Sequence, residues 1–136
     1  MANGATRSDV TVTFAFIDGS PAFTYTGTRV QEEVETTVRI PPGTGLTVFQ
    51  LEAGEGVRNA AFVTRPFQYV EQQEDGTRVP LDHPPPGFFL QRNSPTQATL
   101  TSINTLPGAT FRFYLIILAD GVIYGDDPVL INEPPP

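Results

Sequence analysis

Few residues in this chain could do chemistry, and their spacing narrows the options further. His83 is the sole histidine, in Leu81-Asp82-His83-Pro84, so a Ser-His-Asp arrangement would have to use it. Its hydroxyl partners would be Ser8, Ser20, Ser94 or Ser102, none of which stands in a Gly-x-Ser-x-Gly elbow. One imidazole among carboxylates is a poor zinc set, and the chain has no Cys, which removes thiolate nucleophiles, cysteine metal sites and disulfides. Asp126-Asp127, with Asp120 nearby, could gather oxygen ligands for calcium. The spacing is not that of an EF-hand loop, however, and adjacent strand residues point to opposite faces. Turn capping and solvation are the expected roles of these aspartates. A hydrolytic carboxylate pair needs a cleft and a raised pKa, and the sequence displays neither. Gly43-Thr44-Gly45 and Gly54-Glu55-Gly56 lack the Lys and helix of a phosphate loop and read as turns. No catalytic, cofactor-binding or metal-ligating residue is expected, and no cofactor.

Binding is the better prospect. Arg58, Arg65, Arg78 and Arg92 are interleaved with Phe62, Phe67, Tyr69, Phe88 and Phe89, a mixture enriched in interface hot spots. Phe88, Phe89 and Arg92 are the expected interaction surface. Core aromatics with solvated arginines would give the same composition. A free sheet edge offers a second route, by strand addition, and the absence of Lys removes one common device for blocking it.

The elements that must position these residues are strands. Val10, Val12, Phe14 and Phe16 alternate with Thr11, Thr13 and Ala15, the period of a half-buried strand, which Asp18-Gly19-Ser20-Pro21 ends. Phe23 and Tyr25 mark a second strand, and Val30 to Ile40 a longer one with Val34, Val38 and Ile40 inward. Leu46 to Leu51 and Val57 to Val63 follow. From Thr64 to Pro95 the pattern loosens around a small hairpin with Asp75-Gly76 at its tip and the stiff run Pro84-Pro85-Pro86-Gly87. Ala98 to Ile103 resumes strand character. From Phe111 to Leu118 every residue but Arg112 is bulky, which predicts a strand buried on both faces or nearly so. Asp120-Gly121 supplies a two-residue type I′ turn into Val122, Ile123 and Tyr124. Pro128 then predicts a bent or bulged final strand at a sheet edge.

At 136 residues the chain suits one domain spanning 1–136, with 1–8 a flexible tail and 134–136 a Pro-rich tail. Fourteen Pro and twelve Gly between short apolar runs favour many turns and no long helix. About seven to nine antiparallel strands at intervals of roughly 10 residues predict an all-β immunoglobulin-like β-sandwich.

All eight basic residues are Arg, and fifteen acids leave the chain at −7. That balance argues against nucleic acid and anionic membrane surfaces as partners. Residues 57–105 are the neutral part, with four Arg against four acids. The N-terminus lacks the apolar core of a secretory signal, and no apolar run is long enough to span a membrane, so a cytoplasmic location is expected.

Gly125-Asp126-Asp127-Pro128-Val129-Leu130-Ile131-Asn132-Glu133-Pro134, after a Phe-rich strand and an Asp-Gly turn, resembles the end of the small bacterial DP-EP family. The two name-giving dipeptides map onto Asp127-Pro128 and Glu133-Pro134. More distantly, this ending resembles bacterial inclusion-body proteins of the PixA and AidA type. The first resemblance implies an immunoglobulin-like sandwich without assigned biochemical function. The four motif residues are expected to shape the last strand. The functional expectation is a non-catalytic binding or self-association module, a homo-oligomer or the partner of another protein. The alternative is a small-ligand or cryptic hydrolase domain using a carboxylate pair.

Overall fold

The computed structural model describes residues 5–27, 30–32, 36–40, 43–81, 83–84, 87–104, 110–126 and 129–132. Among them are twelve strands and no helix: β1 (Ala5–Ile17), β2 (Ser20–Thr26), β3 (Val30–Glu32), β4 (Thr36–Ile40), β5 (Gly43–Ala53), β6 (Ala60–Gln72), β7 (Arg78–Leu81), β8 (Phe88–Ser94), β9 (Gln97–Asn104), β10 (Thr110–Ala119), β11 (Val122–Asp126) and β12 (Val129–Asn132). With no helix among the described residues, none is long and apolar enough to cross a membrane.

The strands form two sheets. The first has the order β2-β1-β5-β9-β8, and the second β3-β4-β12-β10-β6-β7, with β11 paired to β10. Lettering β5, β6, β7, β8, β9, β10 and β12 as B, C, C′, D, E, F and G gives B-E-D facing G-F-C-C′, the immunoglobulin arrangement. The β1–β2 hairpin extends the first sheet beyond β5.

Alternation decides what is buried. Val10, Val12 and Phe14 of β1, Phe49 and Leu51 of β5, and Ala98 and Leu100 of β9 face Phe62 of β6, Phe111, Phe113, Leu115 and Ile117 of β10, and Val38 and Ile40 of β4 in one core. Aromatic rings fill both flanks of that layer. Phe14 packs against Phe23 and Tyr124 with centroids 5.0 and 4.6 Å apart, and Phe88 against Phe111 at 4.8 Å. Each such pair contributes about 0.5–1.5 kcal/mol beyond its buried area.

The hairpin turns follow their sequence signals. Asp18-Gly19 joins β1 to β2 with φ of 51° and 80°, and Asp120-Gly121 joins β10 to β11 with φ of 47° and 85°, both of the I′ kind. At the β6–β7 tip, the Gly76 amide donates to Gln73 O (3.0 Å) and the Gln73 amide to Thr77 O (2.7 Å), with Gly76 at φ 87°. That is a type I turn closed by a left-handed glycine.

Several expectations are corrected. The strands number twelve and are not all antiparallel: β1 runs parallel to β5 and β4 parallel to β12. β12 lies between β10 and β4, so the final strand is interior and not an edge. Pairing with β10 resumes at Val129 in the register held by β11, without a net bulge on this side. The expected tail at 1–8 joins the sheet from Ala5, because its residues pair with Thr44 to Thr47 of β5. The single strand expected from Val30 to Ile40 is the β3–β4 hairpin. β10 is buried on one face only, with Tyr114 and Ile116 half-buried and Leu118 exposed on the other.

Candidate ligand-binding groove

The sites considered from sequence separate in space. Asp120 caps a loop: its carboxylate accepts from the backbone amides of Arg58 (3.0 Å) and Asn59 (2.9 Å), while its own amide donates to Asn59 O (3.0 Å). Those donors hold its pKa below the usual carboxylate range. Asp126, at the other end of β11, accepts a 2.7 Å hydrogen bond from the hydroxyl of Tyr25, a buried residue of β2, and so ties the two sheets together. The two carboxylates therefore do not converge, and each is engaged structurally. Asp127, Pro128, Glu133 and Pro134 lie outside the described residues. No cluster of three or more His, Asp or Glu placed to hold a metal occurs among the described residues.

The expected surface of Phe88, Phe89 and Arg92 divides across β8. Phe88 is only 4% exposed, packed on Phe111 and Phe113, and so belongs to the core; Phe89 is 62% exposed on the outer face. Arg92 shares the inward parity of Phe88 and reaches across to β6, where its Nη1 donates to Phe62 O at 3.2 Å.

That contact marks one wall of a groove between the sheets. Here β6 departs from regular pairing. Leu115 and Ile117 of β10 are opposite Phe67 and Phe62, so residues 63–66 bulge against Ile116 alone. Pro66 brings no amide hydrogen to the ladder, a physical reason for the break. The bulge, β8 and Pro84 border a half-open groove of about 310 Å³ lined by Thr64, Arg65, Pro66, Phe67, Pro84, Leu90 and Arg92. A smaller space of about 90 Å³ shares Arg65, Phe67, Pro84 and Leu90 with it and adds Gln68, Tyr69, Leu81 and His83.

The groove is basic and aromatic. Two guanidiniums and the only histidine line it, and among the described residues no carboxylate lines either space. Burial, with Glu71 nearby, raises the Tyr69 pKa, so its phenol stays a hydrogen-bond donor at neutral pH. His83 is exposed, with Nδ1 3.2 Å from Pro84 O. Phe67 is fixed by edge contacts with Phe49 (5.3 Å) and Phe113 (6.3 Å). Arg65, Arg92, Phe67 and Tyr69 all belong to the arginine-aromatic stretch singled out in the sequence. Thr64, Pro84 and Leu90 were missed as lining; Pro66 within a run of strand-formers was the available signal of a bulge. Scanned against protein-family models the chain matches none, and a search of curated proteins returns no match either.

Proposed function

We infer that the protein is a non-catalytic binding module whose binding surface is the groove between β6 and β8. The observation that carries this reading is the convergence of Arg65, Arg92 and His83 on ordered apolar walls, in a chain whose net charge is −7. The lining is mixed, with polar groups set beside Phe67, Leu90 and prolines, and small ligands bind in concave sites where convergent polar groups meet apolar surface. The resemblance to the DP-EP family, which carries no assigned chemistry, accords with a binding role. The test is a titration of isotopically labelled protein with a panel of small aromatic acids, amides and amines. Amide signals of Thr64, Arg65, Leu90 and Arg92 should move together; a panel that leaves all four still would overturn the reading.

Self-association is a second reading, favoured by β11. Among the described residues this strand pairs only with β10, and Val122, Ile123 and Tyr124 carry neither charge nor proline on the free side. Ile123 is 67% exposed. Such an edge lacks the usual safeguards against strand addition and is self-complementary when a second copy approaches antiparallel.

A further inference from the structure

The groove's chemistry narrows what it takes. We propose that it binds a small organic carboxylate with a flat apolar body, the carboxylate meeting Arg65 and Arg92 and the body lying on Phe67, Leu90 and Pro84. This rests on the groove being the binding surface.

The charge comes first. A guanidinium matches a carboxylate through paired N–H donors, and the fit is best where the arginine is already held in place. Arg92 is held: one of its five N–H donors is spent on Phe62 O, and the others remain for a ligand. The Arg65 side chain makes no hydrogen bond or ion pair with another described residue. With no carboxylate among the described lining residues, an incoming anion displaces no described acidic partner.

Size and wall chemistry then select among anions. A half-open groove of about 310 Å³ is at the lower end of small-molecule sites and suits a small ligand. Inorganic phosphate would satisfy the guanidiniums and leave Phe67, Leu90 and Pro84 uncovered. A nucleic acid backbone would need far more cations than these. An aryl or short alkyl acid uses both halves of the groove, its body replacing water on rings that are already ordered and so lose little freedom.

Calorimetric titration at low ionic strength with phenylacetate, phenylacetamide and inorganic phosphate tests this, with the labelled protein reporting the location. Phenylacetate should bind at least about tenfold more tightly than phenylacetamide, the usual scale for losing a charge-assisted pair. Added salt should narrow that difference. Arg65→Gln, at an exposed position, should remove most of the preference while leaving the melting temperature unchanged. Equal affinity for acid and amide, both moving groove signals, would overturn the carboxylate assignment and leave the binding surface intact. Phosphate binding as tightly as phenylacetate would overturn the apolar-body part. Groove signals unmoved by every probe would sink the underlying reading as well.

Discussion

Single side chains at the two ends of β11 hold the sandwich together through hydrogen bonds that sequence alone does not reveal. Tyr25 is buried and donates to Asp126 across the two sheets. Tyr25→Phe keeps the ring and removes the donor, and should lower stability by about 1–2 kcal/mol in urea unfolding. Asp120 acts through charge. Its folded pKa lies below its unfolded one, so its contribution is complete above the unfolded value, near about pH 4, and is lost as pH falls through the folded value. Asp120→Asn keeps the turn residue type and should melt below the parent at neutral pH, with the gap closing in acid. A gap constant with pH would remove the electrostatic explanation. In the core, Thr47 is fully buried, and its Oγ1 has no hydrogen-bond partner among the described residues. Thr47→Val preserves the shape without that polar atom and should raise stability by about 1 kcal/mol.

At the level of elements, the β10–β11 hairpin shows how local chemistry and distant packing share control. Gly121 sits at φ 85° with no described atom near the position of a Cβ, so Gly121→Ala tests conformational strain apart from any clash among the described residues. It should cost about 1 kcal/mol, read from the same unfolding curves. The turn itself was legible in Asp120-Gly121, whereas Gly125 and Asp126, expected to interrupt the return strand, pair with Ile116 and Leu115 as part of β11. The neighbour of β12 was not legible. Its parallel partner β4 is distant in sequence, and side-chain alternation is the same whether a strand pairs parallel or antiparallel. The bulge in β6 has the same character: Pro66 signals a break in the ladder, but only the register on either side, Phe67 with Leu115 and Phe62 with Ile117, turns Thr64 and Arg65 toward the groove.

For the whole molecule, the decisive question is what its free edge and its groove meet. If β11 pairs with a second copy, light scattering coupled to gel filtration at about 100 μM should give a dimer mass, since a stable interface of standard size holds at micromolar levels. Ile123→Asp sets like charges close together across such an edge and should return the monomer with the melting temperature of the domain little changed. A monomeric parent at that concentration would remove the self-association reading and leave the groove untouched.

The sequence by itself determined that the chain is all β, that it has a single histidine and no Gly-x-Ser-x-Gly elbow, and that four of its eight arginines lie among aromatics in the neutral middle of an acidic chain. These are local or compositional properties: period-two alternation, Asp-Gly turns and charge counts need no knowledge of distant partners. Only the tertiary structure decided which of two adjacent phenylalanines is core. Alternation requires Phe88 and Phe89 to point opposite ways, but the pairing of β8 with β9 puts Phe88 against Phe111 and leaves Phe89 in water. It likewise brought Arg65 and Arg92, from strands in different sheets, to one cavity. Such meetings depend on how one sheet lies over the other, which is set by the packing of the whole core and by no short stretch of residues.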